Sequence, residues 1–174
     1  MFLCCRKNIP MKKYIKPALY SIAAIFLLAQ LIRPAKNLSN DLTHDIAQKY
    51  PVPDSVQTIL KVACNDCHTN STVYPWYAEV QPVAAWLANH VDEGKRKLNL
   101  STFTTRPVAV QNHKFEEIIE MVQEDKMPLA SYTWVHRDAI LTDAQKQTLI
   151  HWAQTQMDSL KAQYPADSLV LRRK

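Results

Sequence analysis

The chain has 174 residues, enough for one modest domain plus an appendage. Hydrophobic residues make up 47%, ample for a core, and one glycine (Gly94) against ten prolines argues against a turn-rich strand fold and for helices joined by proline-punctuated loops. The net charge of +5 is local: residues 1–36 hold seven Lys/Arg and no acid, whereas 37–174 carry fourteen Lys/Arg against sixteen Asp/Glu, which excludes a basic nucleic-acid-binding face.

The basic N-terminus leads into MKKYIKPALYSIAAIFLLAQLIRPAK, with no charge from Pro17 to Ile32. Counted from Tyr14, the run approaches the roughly 17–25 residues of a membrane-spanning helix and is apolar on every face. Five Lys/Arg precede it, and Arg33 and Lys36 follow. The positive-inside bias then predicts residues 1–13 in the cytoplasm, a single-pass anchor over 14–33 in the inner (cytoplasmic) membrane, and the remainder on the periplasmic face. A cleaved signal peptide is the rival reading, with Leu27 and Ala29 flanking Leu28 as a poor cut site. Met11 opens a conventional MKK start, which would leave residues 1–10 as an over-extended gene start. Cys4 and Cys5 lie in that piece, across the expected membrane from Cys64 and Cys67, so a disulfide framework is not expected despite four cysteines. Lipidation of Cys4 or Cys5 is a further reading.

Residues 34–52, polar and closed by prolines, read as a linker. The folded domain is expected over 53–160, with 161–174 a loose tail. DSVQTILKVACNDCH has Asp54 or Ser55 as N-cap and Val56, Ile59, Leu60 and Ala63 at helical spacing. QPVAAWLANHVDEG places Pro82 near a helix start and Gly94 at its end. NHKFEEIIEMVQEDKMP sets Phe115, Ile118, Ile119 and Val122 on one face and stops at Pro128. LTDAQKQTLIHWAQTQM opens with Thr142 and Gln145 in capping-box register. Four helices follow in the domain, with no period-two segment to add a sheet, so the fold class is all-α.

The chemistry centres on CNDCH, residues 64–68. C-x-x-C-H is a c-type haem attachment pattern: two sulfurs spaced by a helical turn meet the two vinyl groups on one porphyrin edge, and the adjacent imidazole projects toward the iron. A zinc site needs four ligands, and only scattered histidines accompany the pair. A thioredoxin-type redox pair would open a helix rather than follow one. Covalent haem attachment fits the expected export, with Cys64 and Cys67 as the thioether residues and His68 as the proximal ligand. Met127, held before Pro128 in DKMPLASY, is the expected distal ligand. His136 is the first alternative, ahead of His90, His113 and His151, while Met121 and Met157 read as packing residues. Tyr74, Trp76, Tyr77, Trp86, Tyr132 and Trp134 would wall the haem or fill the core.

Two stretches, CNDCHTNSTVYPWYAEVQPVAAWLANHVDEGKRKLNLSTF and KMPLASYTWVHRDAILTDAQKQTLIHW, resemble the haem-binding domain family of Bacteroidetes-type bacteria. The resemblance runs from about Asp54 to Trp152, through CxxCH, YPWY, the GKRKLNLS segment from Gly94 to Ser101, the MP pair and a closing helix. It implies a small cytochrome c-like domain behind one N-terminal membrane segment, with one haem c carried by Cys64, Cys67, His68 and Met127. The expected role is electron transfer with redox partner proteins at the periplasmic face, by a carrier rather than an enzyme. A haem sensor with a displaceable distal Met is the alternative function, and a zinc module a more distant one.

Overall fold

A computed structural model describes residues 12–171. Among them are seven α-helices and several short 3₁₀ turns, with no strand; one isolated antiparallel bridge joins Leu38 to Ser71. The all-α expectation therefore holds. The chain forms two compact units: one holds residues up to Ala35 together with Tyr74–Ala88, and the other holds Lys36–Val73 and the chain from Asn89 onward.

In the first unit, α1 (Lys12–Ala29) carries the apolar run, and every side chain from Tyr14 to Leu28 is exposed. The helix closes with three tight bonds, the last from Ile32 N to Ala29 O at 3.0 Å, so helical structure ends four residues before the expected Arg33. No helix among the described residues is long and apolar enough to cross a membrane. Of the residues 1–13 expected in the cytoplasm, 1–11, Cys4 and Cys5 among them, lie outside the described residues. Gln81 is the unit's one buried polar side chain among those described, and its bonds explain why burial is tolerated. Its Nε2 donates to Ile32 O (2.7 Å), its N–H to Gln30 Oε1 (3.0 Å), and its Oε1 accepts from Ala85 N (3.2 Å).

The second unit is built on α2 (Asp54–Ala63), α3 (Asn65–His68), α5 (Val108–Gln123), α6 (Ala130–Thr133) and α7 (Asp143–Gln163). Antiparallel packing of α5 on α7 forms its centre. Phe115 is fully buried at that contact, with the rings of Tyr50, Phe103 and Trp152 at 5.0, 5.1 and 5.6 Å. The face expected on α5 is confirmed at Phe115, Ile118 and Val122, which are buried, and Ile119 packs against the cluster. Thr142 and Gln145 make the expected capping box at the start of α7. α5 stops at Gln123, before Pro128, because Asp125 turns to φ 55°. Lys126 N and Met127 N then both donate back to Met121 O, at 2.9 and 3.1 Å, the wrap that satisfies helix-terminal carbonyls.

Residues 36–52, expected as part of a linker, fold into this unit. Asp45 caps a short turn over Ile46–Gln48 by accepting from Ala47 N at 2.9 Å. Ile46 and Tyr50 are buried in the core, and Tyr50 donates its hydroxyl proton to the buried Gln111 Oε1. In the expected tail, α7 continues to Gln163, a 3₁₀ turn covers Ala166–Ser168, and Leu169 is buried.

Candidate haem site

Val56, Ile59, Leu60 and Ala63 bury one face of α2, and that face fixes where the Cys64–His68 turn emerges. α2 ends as Cys64 leaves helical geometry (φ −129°), and the chain restarts at once as α3. Cys67 N and His68 N both donate to Cys64 O, at 3.2 and 3.0 Å, so the whole motif lies on one closed turn. Both cysteines are free thiols and partly buried. Burial pushes Cys64 up to about 12, with the neighbouring Cys67 adding to it. Burial likewise pushes Cys67 up to about 11, with the Asp66 carboxylate next in importance. A redox dithiol of the thioredoxin type needs the opposite shift, and burial opposes it here.

His68 is held from one side. Its Nδ1 lies 3.1 Å from Gly94 O and 3.0 Å from Leu98 O, two carbonyls at the end of α4 (Val83–Lys97). Carbonyl oxygens only accept, so Nδ1 carries the proton and Nε2 keeps its lone pair. Burial lowers the His68 pKa, and the two carbonyl bonds oppose that shift in part. Two such partners fix the tautomer and the ring orientation of His68.

The approach of α4 to the motif depends on Gly94. A Cβ there would meet Cys67 O at 2.5 Å and Cys67 Cβ at 3.0 Å. The expectation that Gly94 ends its helix is corrected: α4 continues to Lys97, and the glycine is needed for closeness rather than for a stop. The loop after the motif is braced by two segments. Asn37 donates to Thr69 O (2.8 Å) and Thr72 Oγ1 (2.9 Å), and Ser39 N donates to Asn70 O (2.8 Å). From the GKRKLNLS segment, Asn99 Nδ2 donates to Asn70 Oδ1 (2.9 Å), and the buried Ser101 Oγ accepts from Asn70 N (3.1 Å).

Asp66, between the cysteines, accepts at Oδ1 from Val73 N (3.0 Å) and at Oδ2 from the Tyr132 hydroxyl (2.8 Å). Met127 is half-buried in the irregular segment between α5 and α6, and α6 carries Tyr132. The structure thus ties Tyr132, five residues after Met127, to the motif. His136, the alternative ligand, stacks on that ring (centroids 4.3 Å, 13° between planes). His113 pairs instead with Glu116 and Glu117 on the exposed side of α5, and His151 is an exposed residue of α7. Trp134 is 76% exposed and Trp76 81%, so neither fills a core.

Among the described residues, no group of three or more His, Cys, Asp or Glu side chains is placed to hold a metal ion. Cys64, Cys67 and His68 therefore do not converge as zinc ligands would. Two protonated thiols on one turn, beside a histidine with an oriented Nε2, fit instead a flat group attached at an edge and ligated at its centre. Gly94 and Leu98 lie in the GKRKLNLS segment and Asp66 in CNDCH, but their contacts to Cys67, His68 and Tyr132 leave no signal in the sequence.

No curated protein and no solved structure matches the chain significantly. The model of the haem-binding domain family matches residues 24–155, and the match begins upstream of Asp54, so it includes the Asn37–Tyr50 stretch that braces the motif loop. On that match, over most of its length, the chain belongs to the haem-binding domain family.

Proposed function

We propose that this chain is a membrane-anchored, single-haem c-type cytochrome domain that passes electrons between partner proteins at the periplasmic face. The observation that carries the proposal is the His68 ring, oriented by two carbonyls with its ligating nitrogen unprotonated, one residue after a closed two-cysteine turn. Cys64 and Cys67 would hold the porphyrin edge, His68 would be the proximal ligand and Met127 the distal one. A haem so held supplies a one-electron Fe(III)/Fe(II) couple, raised by His/Met ligation. The chain's own residues do the rest. Gly94 and Leu98 carbonyls keep Nδ1 protonated and the imidazole basic at Nε2. The helix end at Asp125 delivers Met127 into a segment fixed at both ends, by Met121 O before it and by Tyr132 after it.

Anchoring through residues 14–33 is supported by α1, whose apolar side chains are exposed all round, unlike a helix with one polar face. The charge split around it supports export of the rest.

The test uses the full chain expressed with a cytochrome c maturation system. Acid-acetone should leave haem on the protein, and the ferrous form should bind CO slowly, with Met127→Ala binding it fast. Haem recovered in the solvent would refute covalent attachment. Equal CO binding by both proteins would refute Met127 ligation and favour His136, or an open sensor-type site.

A further inference from the structure

We propose that Asp66 and Tyr132 form a clasp that holds the Met127–His136 segment against the attachment turn and so sets how readily the distal ligand opens. In its second half the proposal rests on the reading of Met127 as that ligand. α6 has four residues, too few to be stable by itself. Its backbone bonds are local: Thr133 N donates to Leu129 O (3.0 Å), Trp134 N to Ala130 O (3.0 Å) and His136 N to Tyr132 O (3.0 Å). Trp134 and Val135 point outward and bury too little to anchor it. The Tyr132 hydroxyl reaches across 66 residues to the Asp66 carboxylate at 2.8 Å, and also lies 3.4 Å from Val62 O on α2.

Asp66 is well placed for this. It lies on the same turn as both cysteines, and its other oxygen accepts from Val73 N, which fixes the carboxylate before Tyr132 arrives. A charged acceptor makes the bond one of the stronger kind. The stacked His136 ring covers one face of Tyr132 and restricts its rotation. The attachment turn and the segment carrying Tyr132 are therefore joined through one phenol, and phenylalanine would keep the packing while removing the bond.

The test compares full-length wild type with Tyr132→Phe and with Tyr132→Phe/Asp66→Asn. Hydrogen exchange of the amides from Thr133 to His136 reads the clasp without reference to haem. CO association with the ferrous protein reads distal opening. Tyr132→Phe should speed both about tenfold, the size expected for one hydrogen bond to a charged group, and adding Asp66→Asn should change little more. Unchanged exchange overturns the clasp. Faster exchange with unchanged CO association overturns its control of the distal side. Wild-type CO association as fast as that of Met127→Ala overturns the Met127 assignment and the control built on it, while exchange still decides whether the clasp exists.

Discussion

Gly94→Ala is the substitution whose sign is most informative. Gly94 is helical and has no positive φ. By helix propensity alone, alanine there should stabilise the chain by about 0.5–1 kcal/mol. The structure predicts the opposite. The added methyl would sit 2.5 Å from Cys67 O and 3.1 Å from Cys67 C, which are backbone atoms that no rotamer change can move. Separating α4 from the motif turn would also lengthen both carbonyl contacts to His68. Overpacking costs about 1–3 kcal/mol, and a contact to backbone belongs in the upper half of that range. The net effect is then a loss of about 1–2 kcal/mol, or a Tm lower by about 2–8 °C for a chain of this size. Thermal unfolding followed by circular dichroism measures it, and haem bound per chain should fall as well. A Tm equal to or above wild type would refute the close approach of α4 to Cys67.

Phe115→Ala should cost about 3–5 kcal/mol in denaturant unfolding, because it removes the ring at the centre of the Tyr50, Phe103 and Trp152 cluster. Tyr50 is raised to about 12, by burial first and by Tyr164 second. Its folded pKa lies above the ordinary value of 10, so its contribution is complete below pH 10 and lost as pH rises toward 12. Tyr50→Phe should therefore flatten the alkaline loss of stability in that window, and an unchanged slope would contradict it. Trp152→Phe should cost about 2 kcal/mol in the same unfolding assay, since Pro51 O loses the 2.8 Å bond from Trp152 Nε1.

The long helices of the domain were legible because their signals are local. The α5 stripe and the Thr142/Gln145 box are read within single turns of helix, and both stand in the structure. The motif was legible for the same reason, since five consecutive residues specify it. What stayed hidden depends on tertiary contact. Leu38, Leu42, Ile46 and Tyr50 recur every four residues in a polar stretch, but only Ile46 and Tyr50 are buried, so the spacing alone does not distinguish a docked strap from a linker. α3 and α6 span four residues each, too short for a helical stripe. Gly94 stood out as the lone glycine, but a helix stop and a close approach look alike in sequence. Tyr132 was read as haem wall or core, and its bond to Asp66 joins positions 66 residues apart.

The claim that Cys64 and Cys67 hold a haem covalently is tested most directly by the mass of the full chain after maturation and acid-acetone extraction. The wild-type mass should be increased by one haem, an increase retained through extraction and lost in Cys64→Ser/Cys67→Ser. A wild-type chain that leaves extraction at its bare polypeptide mass, with all haem in the solvent, would contradict it.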